Sequence, residues 1–119
     1  MPRHQPIIAV DLDKTLAHYE KWVSPAHIGP PIPDMLQRVK TWLSEGKTVV
    51  IFTARVSHNG SLEEIDEAAA AKQHIQNWCI EHLGQELPVT CIKSKAMIEF
   101  WDDRAVQIIP NTGRRVDGL

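Results

Sequence analysis

The sequence predicts an α/β fold: a mostly parallel sheet of four or five strands, held between helices in a three-layer sandwich. Three observations carry this. Short apolar runs alternate at least twice with segments of helical spacing. The second run is β-branched and continuously apolar, as a strand buried on both faces must be. Polar, chemistry-bearing residues follow each run directly, and parallel sheets bind their ligands at the carboxyl ends of the strands.

The elements follow in order. Ile7 to Val10 is the first strand. Trp22 to Pro33 holds Pro25, Pro30, Pro31, Pro33 and Gly29, and reads as a stiff irregular loop. Met35, Leu36, Val39, Trp42 and Leu43 keep helical spacing, and Gly46 stops that helix. Thr48 to Phe52 is the second strand. His58-Asn59-Gly60 is a turn, and Ser61 with Glu64 forms a capping-box pattern. Leu62, Ile65, Ala69, Ile75, Trp78, Cys79 and Leu83 then trace one helical face until Gly84. That helix would run about 22 residues, roughly 33 Å, with a break expected, if anywhere, in Ala68–Ala71. Val89 to Ile92 is the third strand, Ile98 to Trp101 the fourth, and Val106 to Ile109 a candidate fifth. Residues 111–119 read as a polar tail that frays.

A chain of 119 residues suits one domain with one core, spanning about residues 6–110. Net charge is −2, so the chain lacks the overall basic footprint of a dedicated nucleic-acid binder. Cys79 and Cys91 form no ligand or disulfide pattern and read as reduced core residues. The six histidines show no metal spacing. No run is long enough to span a membrane, and Met1 to Pro6 is no secretory signal. The expected location is the cytoplasm.

The polar residues at the strand ends are the main clue to function. Asp11, Asp13 and Thr15 follow the first strand; Thr53, Ala54 and Arg55 the second; Lys93, Ser94 and Lys95 the third; Asp102, Asp103 and Arg104 the fourth. Four carboxylates at one sheet edge need positive charge to stay ionised together. A lysine supplies part of it. A hard cation such as Mg²⁺, which prefers oxygen ligands, supplies the rest. Cation, lysine, hydroxyl and backbone amides together suit a phosphoryl group. Phe100-Trp101 running into Asp102-Asp103 predicts a buried approach to the acids.

The motifs resemble those of the haloacid dehalogenase (HAD) superfamily of phosphotransferases. "DLDKT" is similar to its DxDx[T/V] signature, "VVIFTAR" to its second motif, Lys93 or Lys95 to the third-motif lysine, and "FWDDR" to the acidic fourth motif. The likeness covers residues 7 to about 109 and implies a Rossmann-like sandwich. It is nearest to small HAD-type hydrolases of phage and bacterial genomes, and "TAR" and "DDR" also resemble polynucleotide 3′-phosphatase domains.

The resemblance implies a role for each residue. Asp11 would attack phosphorus and become an aspartyl phosphate. Asp13 would protonate the leaving oxygen and then deprotonate the hydrolytic water. Mg²⁺ would be held by Asp11, Asp102, the Asp13 carbonyl and, directly or through water, Asp103. Thr53 would bind phosphoryl oxygens, with the Leu12 and Ala54 amides nearby. Lys93, favoured over Lys95 because it closes its strand, would balance the charge. Arg55 is a candidate phosphate clamp, Arg104 a brace for the acidic pair, and Tyr19 and Trp22 candidates for the entrance.

Lys14 stands where that family most often has glycine. The connections after Thr15 and after Thr53 are too short for a cap domain. An open site suits a small phosphorylated molecule, a nucleic-acid end, or closure by a neighbouring subunit in a homo-oligomer. The runner-up to phosphomonoester hydrolysis is a non-catalytic phosphate-binding module on the same fold.

Overall fold

The computed structural model describes residues 5–119; the N-terminal residues 1–4, part of the stretch read as no secretory signal, lie outside it. The sheet has four strands, β1 (Ile7–Val10), β2 (Thr48–Phe52), β3 (Val89–Thr90) and β4 (Met97–Trp101). They lie in the order β3-β2-β1-β4, and every pairing is parallel. Helix α1 (Pro33–Ser44) joins β1 to β2, and helix α2 (Leu62–Leu83) joins β2 to β3. This is the Rossmann-like α/β architecture expected from the alternation of elements.

Local chemistry sets the helix ends. Pro33 opens α1, where its fixed φ fits and its missing N–H has no partner to lose. Ser61 caps α2 by accepting from the Glu64 N–H at 3.2 Å. The other half of the capping box is displaced. Glu64 reaches the Asn59 N–H, and the Ser61 N–H donates to Asn59 Oδ1 instead. Gly84, at φ +79°, ends the helix in the left-handed region that favours glycine. Between these caps α2 is unbroken for 22 residues. Ala68–Ala71 are the strongest helix formers, and no glycine or proline interrupts them.

The steps from β1 to β2 and from β2 to β3 run in one direction across the sheet, so crossovers of one hand place both helices on one face. The core confirms this. Ile8, Val10, Val49 and Ile51 share a face in register and pack with Met35 and Val39 of α1 and Ile75, Trp78 and Cys79 of α2. The Trp42 ring meets Trp101 at 5.1 Å, extending this layer to the β4 edge.

Among the described residues the opposite face carries no helix. Only residues 91–96 link β3 at one edge to β4 at the other, too few for a helix and its turns. Ala9 and Phe100 are in register there, and Lys93, Val106 and Gln107 lie alongside in irregular chain. The two outer layers are thus unequal, one helical and one irregular. Ile98 and Phe100 are exposed as a result.

Several expectations are corrected. The third strand is two residues long, not four. Val106–Ile109 is not a fifth strand of the sheet. It pairs instead with the tail, Ile109 N–H to the Arg114 carbonyl and Val116 N–H to the Gln107 carbonyl, around a turn at Pro110–Gly113. The tail is therefore a small hairpin and not frayed chain. Both cysteines are free, but only Cys79 is in the core; Cys91 is exposed. Burial pushes the Cys79 thiol up to about 11, so it stays protonated and inert.

Residues 11–32 hold no helix or strand, only isolated bridges joining Ala17 to Asp13 and to Pro31. One contact fixes this loop to the core and another closes the loop on itself. The Trp78 indole N–H donates to the Gly29 carbonyl at 3.0 Å. Gly29 also passes so close to His18 that a Cβ at position 29 would overlap the His18 carbonyl oxygen. No helix of the described residues is long and apolar enough to cross a membrane.

Candidate functional site

The register brings the strand ends together. Val10 pairs with Ile51 on one side and Trp101 on the other, so residues 11, 52–53 and 102 leave the sheet side by side. The Asp11 N–H donates to the Trp101 carbonyl at 2.9 Å, which locks the first acid beside the fourth-strand acids. Thr53 is pinned likewise, its N–H on the Thr90 carbonyl at 2.9 Å.

Asp11, Asp102 and Asp103 each present a carboxylate oxygen, and these atoms lie within 4.8 Å of one another. Asp11 is half-buried, while Asp102 and Asp103 are exposed, which corrects the expected buried approach. The Asp11 carboxyl is pushed up from 3.8 to about 7. Burial is the largest cause, followed by the Asp102 charge and a hydrogen bond with Asp103; a bond from the Leu12 amide pulls the other way. Thr15 makes long bonds to both Asp11 (3.4 Å) and Asp103 (3.5 Å). Among the described residues no lysine or arginine pairs with this trio. Three carboxylates without nitrogen or sulfur ligands could supply oxygen donors to a hard divalent cation such as Mg²⁺.

Asp13, two residues on, stands apart from the trio. Its two oxygens accept from Arg55 Nε and Nη2, both at 2.8 Å. Arg55 also donates to the His27 carbonyl at 3.0 Å and lies 5.0 Å over the Trp22 ring. Arg55, expected as a phosphate clamp, thus commits three donors to protein acceptors. Thr53 is 3% exposed, and its Oγ1 accepts from the Arg55 N–H at 3.2 Å, capping the short 3₁₀ turn Ala54–Val56.

Lys14 adopts φ +70°, the left-handed conformation that favours glycine. Its turn is closed by Lys14 N–H on the Ala17 carbonyl, and its ammonium sits 5.9 Å over Tyr19. The Leu12 side chain is fully buried, so only its backbone serves the site. Lys93 lies 5.0 Å over the Phe100 ring and lines a groove with Asp11 and Asp102. Lys95 lines neither that groove nor the cleft beside it. Arg104 braces the pair through its backbone, its N–H donating to Asp102 Oδ1 at 2.7 Å.

Two open cavities meet at Asp11 and Asp102. One, of about 530 Å³, is walled by Asp13, Lys14, Tyr19, Trp22, Thr53, Ala54, Arg55, Asp103 and Arg104. The other, of about 790 Å³, runs along the face without helices, past Phe52, Phe100 and Val106. Reading the sequence missed the Arg55–Asp13 pair and the His27 carbonyl. A main-chain acceptor leaves no mark in residue type, and a pair 42 residues apart is visible only once the loop is placed.

A conserved protein of known structure from Bacteroides thetaiotaomicron is similar to this chain, with a TM-score of 0.52 and 25% identity over 88% of this chain and 81% of that one. The likeness agrees with the α/β fold. No protein-family model and no curated protein matches the sequence.

Proposed function

We propose that this protein is a Mg²⁺-dependent phosphomonoester hydrolase of the HAD type, working through an aspartyl phosphate on Asp11. The observation that carries this reading is the meeting of Asp11, Asp102 and Asp103 at adjacent strand ends, with Asp13 and Thr53 on the wall of the same cleft. The trio would hold Mg²⁺, which would offset the charge of a phosphoryl group and of the carboxylate attacking it.

The chain's own residues then divide the work. An Asp11 oxygen bonds to phosphorus as the ester P–O bond breaks, and Asp13 gives the leaving oxygen its proton. In the second half a water oxygen attacks phosphorus, its proton passes to Asp13, and the Asp11–phosphorus bond breaks. The Thr53 hydroxyl, whose own proton is not used in its bond with Arg55, and Lys93 steady the phosphoryl oxygens.

The test is phosphate release from an aryl phosphate by the full chain. Release is expected with Mg²⁺, with loss of at least ~10³-fold in Asp11→Asn or in chelator. Turnover that survives either change contradicts the reading.

A narrower reading takes a nucleic-acid 3′ end as substrate. It draws on the open cleft, where Lys14, Arg104, Tyr19 and Trp22 could meet phosphates and bases. Equal rates on a 3′-phosphorylated oligonucleotide and on mononucleotides would remove it.

A further inference from the structure

Arg55 stands within the cleft and yet is not free to bind a phosphate. Its side chain is only 5% exposed, and the Asp13 side chain only 23%. The pair is a fork-to-fork contact with both bonds at 2.8 Å, the geometry that makes an arginine–carboxylate pair strong and directional. The guanidinium is fixed from two further sides, by the His27 carbonyl at 3.0 Å and by the Trp22 ring at 5.0 Å, and the Arg55 backbone N–H is held by the Thr53 hydroxyl at 3.2 Å. Turning toward a bound phosphate would break these contacts and leave Asp13 without its partner.

The position of Asp13 gives the pair its meaning. Asp13 is two residues from Asp11 and opens on the same cleft, but its carboxylate is absent from the Asp11–Asp102–Asp103 trio. A short, unheld carboxylate there would be drawn toward any cation in the trio. A carboxylate that ligates the cation cannot also carry protons to and from substrate.

Resting on the phosphatase reading above, we propose that Arg55 is a positioning residue that holds Asp13 out of the metal site and ready for proton transfer at the leaving oxygen. When Asp13 carries the water's proton at the end of a turnover, one oxygen releases its arginine bond and the other keeps it, since a protonated carboxyl still accepts. The carboxyl therefore stays anchored through both halves of the reaction. The anchor reaches the loop at residues 22–27 and the 3₁₀ turn after β2, so two separate segments set the direction of one carboxyl group.

The test uses leaving groups of different basicity. Expulsion of 4-nitrophenolate needs little protonation, whereas the alkoxide of ethyl phosphate needs a full proton transfer. In Arg55→Ala, kcat/KM, which reports the steps up to departure of the leaving group, is expected to fall at least ~100-fold on ethyl phosphate, within the range of lost general acid catalysis, and by less than ~5-fold on 4-nitrophenyl phosphate; kcat falls on both, because Asp13 also takes the proton of the hydrolytic water. Asp13→Asn should show the same selectivity, and adding Arg55→Ala to it should cost nothing more, because the arginine acts only through that carboxyl. Arg55→Lys, which keeps the charge and loses the fork, serves if the alanine variant does not fold, and should retain the selective defect.

Equal losses in kcat/KM on the two esters mark a phosphate clamp and overturn the proposal, as do additive losses in the double variant. Wild-type protein that turns over neither ester with Mg²⁺ defeats the phosphatase reading itself, an outcome distinct from all of these.

Discussion

Asp11 is the residue on which the electrostatics of the molecule turn. Its carboxyl is held at about 7 in the fold against 3.8 ordinarily, through burial first and then the neighbouring acids. The folded chain therefore keeps a proton that the unfolded chain has already released. Between about pH 4 and pH 7 the unfolded state binds fewer protons, so the stability this group contributes is present at low pH and lost as pH rises toward 7. In chelator, the melting temperature of wild type should fall relative to Asp11→Asn across that window. By pH 8 the variant should be the more stable by ~3 °C or more. Parallel melting curves for the two proteins from pH 4 to pH 8 would show that Asp11 is not strained by its surroundings.

At the scale of elements, the structure depends on how closely the loop after β1 packs. Gly29 has no room for a side chain, because a Cβ there would collide with the His18 carbonyl. Its carbonyl also receives the Trp78 indole from α2. Gly29→Ala should therefore cost ~1–3 kcal/mol, as overpacking does, in a urea titration. Since the same loop carries Trp22 and the His27 carbonyl that grip Arg55, the variant should also lose activity on alkyl esters. Gly60→Ala would differ in kind, since nothing lies within 4 Å of a Cβ there and its cost comes from the φ of +93° alone. Equal stability of Gly29→Ala and wild type would mean that the loop is free to shift. Little of this loop was legible in the sequence. Its prolines announced an irregular segment and not its path. β1, β2 and α2 were legible because their apolar spacing is local and their ends are marked by Asp11, Thr53 and Gly84. The apolar residues of Val106–Ile109 misled, because apolar spacing cannot tell a sheet strand from one arm of a tail hairpin.

At the scale of the whole molecule, the acidic trio joins the centre of the sheet to its edge. Asp11 ends β1, which is paired on both sides, while Asp102 and Asp103 follow β4, which is paired on one side only. Without a cation, the like charges of the trio oppose the β1–β4 pairing that brings them together. The sequence made the gathering of these acids legible, because each interrupts an apolar run. It could not reveal that one face of β4 lies without a helix among the described residues, since that follows from a six-residue connection that leaves no room for one. A cation that binds the folded chain and not the unfolded one stabilises the fold by mass action, by ~2.7 kcal/mol at a hundredfold excess over its Kd. Millimolar Mg²⁺ should therefore raise the melting temperature at pH 8 by several degrees and slow hydrogen exchange at the Asp11 amide, which is bonded to the Trp101 carbonyl. Asp102→Asn should abolish most of both effects, and Na⁺ at matched ionic strength should not reproduce them. If Mg²⁺ stabilised Asp102→Asn as much as wild type, the cation would be binding elsewhere, and the union of strand ends on which the proposed chemistry stands would have no metal at its centre.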